Sequence, residues 1–226
     1  MAAGLLRRVV RWAVAFALLP VNIGVTWALW DLTRTTAGLL NFWIPVLAGV
    51  AIWLLLFSQL PRPMWIYVFG HELTHALCAW CFGGRVTSFK VSKKGGEVRV
   101  TKTNAFISLA PYFLPLYAVI WSAVIGLASL AGADHTWLMP LYYCGLGITY
   151  GFHVTMTATV LRIRQPDLVG EGFLFSWSII WLGNVLIPLV ALPWLAGSPG
   201  VLVSLRNAAW HTGDVIQFAS GWLRQR

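Results

Sequence analysis

Apolar residues run along this chain in long blocks separated by short polar gaps. Six blocks, at 9–30, 42–60, 64–82, 105–130, 136–161 and 172–195, are long enough to cross a bilayer as helices, which takes about 20 residues each. Pro61-Arg62-Pro63 closes the second block, since proline breaks a helix. Gly83-Gly84 closes the third in the manner of a helix C-cap, and Pro111 and Pro115 predict a kink in the fourth. Arg7, Arg8 and Arg11 precede the first block as in a signal peptide. The apolar run continues to Trp30, however, past the roughly 7–15 residues of a signal core and without a small-x-small cleavage site, so it reads as a retained span.

Two stretches break the pattern. In 85–104, Val86, Phe89 and Val91, then Val98 and Val100, are interspersed with polar residues, and Gly95-Gly96 can supply the positive φ of a tight turn; this predicts a β-hairpin. In 201–226, Leu202, Leu205, Ala209, Val215, Ile216, Ala219 and Trp222 fall near helical spacing, with Arg206, Asp214, Gln217 and Arg224 between them. That predicts an amphipathic helix, lying in the membrane interface or packed on the bundle. The expected fold class is an all-α polytopic membrane protein of about six transmembrane helices, with one short β-hairpin and a C-terminal amphipathic helix. It forms a single domain, with N-terminal spans at 1–63, a catalytic core at 64–196 and the tail helix at 197–226.

Composition agrees. Only 10% of the 226 residues are charged and 58% are hydrophobic, against about 25% charged in soluble domains, which leaves too little polar residue to coat a water-soluble globule. The 14 Trp and 6 Tyr suit the headgroup boundary. The net charge of +9 sits in the short gaps and at the two ends, the pattern of loops facing anionic lipid or the cytoplasm. No nucleic-acid motif accompanies it, so the expected partners are the lipid bilayer and a membrane protein or peptide substrate, with no nucleic acid. The odd count of three cysteines argues against a disulfide framework, and Cys78-x-x-Cys81 reads as small buried side chains on an apolar helix.

Charge leaves the orientation in conflict. Arg85, Lys90, Lys93, Lys94, Arg99 and Lys102 place the hairpin in the cytoplasm, and Arg162 and Arg164 place the later loop on the same side. The loop at 132–135 lacks Lys and Arg and suits the outside. Six spans then put Arg7, Arg8 and Arg11 outside, against the rule.

The run His71-Glu72-Leu73-Thr74-His75 carries the chemistry. Residues i and i+4 share a helix face, so two imidazoles can bind one metal ion, with Glu72 beside them to hold an attacking water as general base. Zn2+ is the expected cofactor. Two histidines and a glutamate within a membrane span are costly and read as functional. A catalytic zinc takes about three protein ligands. Position along the chain removes Asp31, Glu97, Asp134, His135, His211 and Asp214 as the third. His153, Asp167 and Glu171 remain. His153 matches His75 in depth if the third and fifth spans run in the same direction, whereas Asp167 follows Pro166 in a polar gap beside Arg162 and Arg164 and reads there as a helix-start carboxylate. Asn184, inside the sixth block, is a candidate substrate-backbone donor or a helix-packing side chain. Asn104 reads as a helix N-cap.

His71-Glu72-Leu73-Thr74-His75-Ala76-Leu77, followed by Phe82-Gly83-Gly84-Arg85-Val86, is similar to the opening motif of the site-2 protease family of intramembrane zinc metalloproteases. The β-hairpin after that helix, Ser108-Leu109-Ala110-Pro111, and the segment from Pro166 to Phe175 resemble later parts of the same family. The resemblance implies His71, His75 and Asp167 as metal ligands and Glu72 as base, with His153 as runner-up for the third ligand or a neighbour supporting it. The chain departs from the family in two places. Pro-Asp-Leu replaces the Leu-Asp-Gly order, and the Asn expected a few turns earlier is replaced by Thr155-Met156-Thr157-Ala158-Thr159. The expected activity is peptide hydrolysis in or beside a membrane, with a bacterial-type plasma (inner) membrane as the expected location. The rivals are a non-proteolytic zinc membrane enzyme acting on a lipid-linked substrate, and a catalytically silent scaffold or transporter.

Overall fold

A computed structural model describes residues 2–92, 95–197 and 200–224. In chain order the elements are α1 (Ala2–Thr36), α2 (Leu40–Gln59), α3 (Met64–Cys81), β1 (Val86–Ser92), β2 (Gly95–Val100), α4 (Ala105–Leu109), a 3-10 turn (Ala110–Tyr112), α5 (Leu116–Leu130), α6 (His135–Val160), α7 (Pro166–Glu171), α8 (Phe173–Ala196) and α9 (Val201–Arg224). They form two compact units, Met1–Gly38 with Pro166–Arg226, and Leu39–Gln165. The helical polytopic class, the single hairpin and the C-terminal helix agree with expectation.

In the unit Leu39–Gln165, α2 and α6 lie side by side through glycines. A Cβ on Gly49 would stand 2.0 Å from the Cys144 carbonyl oxygen, and one on Gly147 would stand 2.1 Å from that of Val46. The ring contact of Phe42 with Tyr143 and the Trp53 Nε1 bond to Thr155 Oγ1 at 2.8 Å show that the two helices run in the same direction. α5 runs opposite to α6: Tyr117 meets Phe152, and Trp121 Nε1 donates to the Tyr142 carbonyl. α3 leaves from the end where α2 finishes, and Tyr117, at the start of α5, bonds back to Ile66 of α3. The stretch from α3 to the 3-10 turn therefore goes out and returns to the end it left, as a re-entrant excursion.

This changes the span count. Among the described residues, α1, α2 and α8 are long and apolar enough to cross a membrane. A fourth span arises if α4 with its 3-10 turn is joined to α5 across a 75° bend, where Pro115 sits. α3 and α6, expected as the third and fifth spans, fall short of that apolarity. α3 carries His71, Glu72, Thr74 and His75, and α6 carries Tyr142, Tyr143, Thr149, Tyr150, His153 and Thr155.

The hairpin is antiparallel, with Ser92 opposite Gly95 and Val91 opposite Gly96. The glycine pair expected at the turn thus opens β2. Lys93 and Lys94, between the strands, lie outside the described residues.

In the unit Met1–Gly38 with Pro166–Arg226, α1 is flanked by α8 and α9. Asn22 Nδ2 donates to the Ser178 carbonyl at 3.1 Å and Trp181 Nε1 to Thr26 Oγ1 at 3.0 Å, so α1 and α8 run in parallel. Arg11 pairs with Glu171 and donates to the Gly170 carbonyl at their shared starting end. α9 packs along α1. His211 Nε2 bonds Asp31 Oδ2 at 2.8 Å and stacks on Trp27, and Thr212 fills the space beside Gly24.

Candidate metal centre

α3 is fixed at both ends of the motif. Past its C-terminus, Gly83 takes φ +69°, Gly84 N–H reaches the Ala79 carbonyl at 2.7 Å and Gly83 N–H reaches Trp80 at 2.9 Å. This is the paired bonding of a Schellman cap, and it requires glycine at the left-handed position. One turn before His71, the Tyr117 hydroxyl donates to the Ile66 carbonyl at 2.5 Å. The Tyr117 ring lies so close to Gly70 that a Cβ there would come within 2.7 Å of it.

Between these anchors the two histidines face each other. His71 Nε2 and His75 Nε2 are 3.2 Å apart, and His75 Nδ1 is 2.7 Å from the Ile107 carbonyl oxygen. A carbonyl only accepts, so His75 Nδ1 carries the proton and donates it, while Nε2 faces His71 Nε2. Nitrogens bound tetrahedrally to one zinc at about 2.0–2.1 Å stand roughly 3.3 Å apart. The observed pair fits that spacing, and the carbonyl behind His75 is the outer partner that metal-bound histidines use. Tyr112, fully buried, packs edge-on to His71 with ring centroids 5.1 Å apart. Glu72 is buried at 8% exposure, and β2 passes against its side chain.

Ile107 holds its place because Asn104 caps α4: Asn104 Oδ1 accepts the Ile107 N–H at 2.9 Å. The cap was legible in the sequence. The carbonyl contact was not, because backbone acceptors have no residue signature. Tyr112 and Tyr117 were missed as well. Their only signal was polar aromatic residues flanking Pro115 in an otherwise apolar block.

Among the described residues of this unit, no further His, Cys, Asp or Glu joins His71 and His75 in a ligand cluster. His153 is buried at 6% exposure in α6, with its ring 6.2 Å from that of Tyr150. Asp167 and Asn184 belong to the other unit. Asp167 is half-buried in the first turn of α7, and Asn184 Nδ2 donates to the Ile180 carbonyl one turn back in α8. Cys78 is buried and Cys81 is exposed, both as free thiols, so the expectation of two buried cysteines holds only for the first.

Long apolar helices and paired histidines on one helix face mark a polytopic membrane protein with a candidate metal site. The sequence matches the family described as Peptidase M50B-like over residues 43–156, and the chain belongs to that family, which is the site-2 protease family. The match takes in α2 through most of α6, including the motif and the hairpin, and ends before Asp167. No curated protein and no solved structure matches the chain. Family membership supports a metalloprotease embedded in a membrane.

Proposed function

We propose that the protein is a zinc endopeptidase that cleaves membrane-embedded or membrane-adjacent peptide substrates, with His71, His75 and Asp167 as ligands and Glu72 as proton carrier. The observation that supports it most is the 3.2 Å convergence of two imidazole nitrogens, one with its tautomer set by the Ile107 carbonyl. Zinc, when bound, would lower the pKa of a water and polarise the scissile carbonyl. Glu72 takes a proton from the attacking water and returns it to the leaving amine. The Ile107 carbonyl keeps His75 in the tautomer a ligand needs, and the buried Tyr112 ring excludes water beside His71. A helical substrate hides its carbonyls in its own hydrogen bonds, and the hairpin offers a strand against which an unwound segment can pair.

The unit 39–165 supplies two ligand nitrogens, one short of the usual three. Asp167 is assigned as the third on the resemblance of its segment to the family, ahead of His153, which joins no ligand cluster. A bacterial-type inner membrane suits this activity.

The test is metal content of the detergent-purified chain. Wild type should hold about one zinc per chain, His71→Ala and Asp167→Ala should lose it, and His153→Ala should keep it. Loss in His153→Ala with retention in Asp167→Ala would move the third ligand into α6. A zinc-free wild type, after zinc was supplied throughout purification, would sink the reading.

A further inference from the structure

The hairpin folds back along α3. At its base, Lys102 Nζ reaches the Phe82 carbonyl at 3.4 Å and Gly84 N–H bonds Ala79. At mid-length, Phe89 packs edge-on to Phe69 with centroids 5.9 Å apart. Near the tip, Gly96 lies against Val68 and Glu72. A Cβ there would stand 2.5 Å from Glu72 Cγ, 2.8 Å from Glu72 Oε1 and 2.7 Å from Val68 Cγ1, closer than real Cβ contacts come. Gly96 is not among the glycines with positive φ, whereas its neighbour Gly95 is, at +147°. Position 96 therefore needs glycine for space and not for backbone freedom.

We propose that Gly96 is a positioning residue for Glu72. By having no side chain it lets the β2 backbone close onto the Glu72 side chain and fix the direction of its carboxylate. This rests on the reading of Glu72 as the group that handles water at the metal. Glu72 has a flexible side chain and projects from a helix, so its direction is set by what covers it, and preorganised groups lose effect when displaced by about 1 Å. A methyl group at position 96 forces either the strand to lift or the carboxylate to turn away, and both remove Glu72 from the water it would hold.

The test uses the full chain in detergent with Co2+ in place of zinc, because the visible absorption of cobalt reports the ligands and water around it without any substrate. Four variants are compared with wild type: Glu72→Gln, Gly96→Ala, Val68→Ala and the double variant Gly96→Ala/Val68→Ala. The proposal expects Gly96→Ala to stay folded and to bind as much cobalt as wild type, with a spectrum displaced toward that of Glu72→Gln. The double variant, relieved only of the Val68 contact, should stay displaced, while Val68→Ala alone resembles wild type. A wild-type spectrum for Gly96→Ala, or its restoration in the double variant, would show that only packing on Val68 matters and would overturn the proposal. Loss of cobalt or of the fold in Gly96→Ala would mark the residue as a packing glycine and overturn it equally. If Glu72→Gln leaves the cobalt spectrum unchanged, or wild type binds no cobalt, the underlying reading fails and the inference falls with it. If Glu72→Gln shifts and Gly96→Ala does not, the reading stands and the inference alone fails.

Discussion

His75 is held by a relay of two short contacts, from its Nδ1 to the Ile107 carbonyl and from the Ile107 N–H to Asn104 Oδ1. Neither partner carries a charge, yet together they set which imidazole nitrogen of His75 is turned toward His71. Asn104→Ala removes the cap, at a cost of about 1 kcal/mol in helix stability, and loosens the carbonyl behind His75. Loss of such outer support costs metal affinity by about 10–100-fold. Competitive zinc titration of Asn104→Ala against a chromophoric chelator should show that weakening, and an affinity equal to wild type would remove the relay from the metal site. The sequence shows Asn104 and both histidines plainly, since capping and i, i+4 spacing are written in residue types. It is silent on Ile107, whose side chain gives no hint that its carbonyl is the functional group, and on Gly96, which the turn pattern assigns to backbone geometry and the structure assigns to space beside Glu72.

At the scale of elements, the hydrophobic blocks locate the helices well, because block length and proline position are local properties. They say nothing of direction, and the parallel pairing of α2 with α6 is where the span-counting argument departs from the structure. That pairing depends on backbone approach at Gly49 and Gly147, where any side chain would run into a carbonyl of the facing helix. Backbone cannot yield as a side-chain tip can, so Gly147→Val should destabilise by at least the roughly 1–3 kcal/mol of ordinary overpacking. Gly126, in α5, has nothing within 4 Å of a built Cβ. Gly126→Ala should be neutral or stabilising, by up to about 1 kcal/mol, from helix propensity. Thermal unfolding of the two variants in one detergent separates them: a Gly147→Val midpoint equal to that of Gly126→Ala would mean the α2–α6 contact is looser than its glycines indicate. The hairpin itself was legible from its alternating valines, and Gly95 has the expected positive φ, whereas Gly96 serves close approach, because glycine serves both needs alike.

For the whole molecule, the re-entrant excursion removes the charge conflict that six successive spans create. α2 finishes beside Arg62, the chain from α3 to the 3-10 turn comes back to that same end, α5 crosses away and α6 returns to Arg162 and Arg164. One side of the membrane therefore receives Arg62, Arg162 and Arg164, while the hairpin lies along α3 with its base at the end away from Arg62. Within the other unit, Arg11 pairs with Glu171 at the starting end of both α1 and α8. The positive-inside preference by itself assigns Arg7, Arg8 and Arg11, ahead of α1, to the cytoplasmic side. The low-charge loop before α6, with Asp134 capping the Thr136 N–H at 2.8 Å, is left on the opposite side. Arg62, Arg162 and Arg164 then obey the positive-inside preference, which acts on Lys and Arg in short loops near span ends. The prediction is that the N-terminus and residues 162–165 are cytoplasmic and residue 133 is not. Single cysteines placed at 4, 163 and 133 in a chain with Cys78, Cys81 and Cys144 changed to Ala would be labelled with a membrane-impermeant maleimide in intact cells and again after permeabilisation. Labelling of position 133 alone in intact cells meets the prediction. Labelling of position 4 from outside would restore an extra crossing between the N-terminus and Arg162, and would mean that α3 traverses the membrane instead of returning to its starting side.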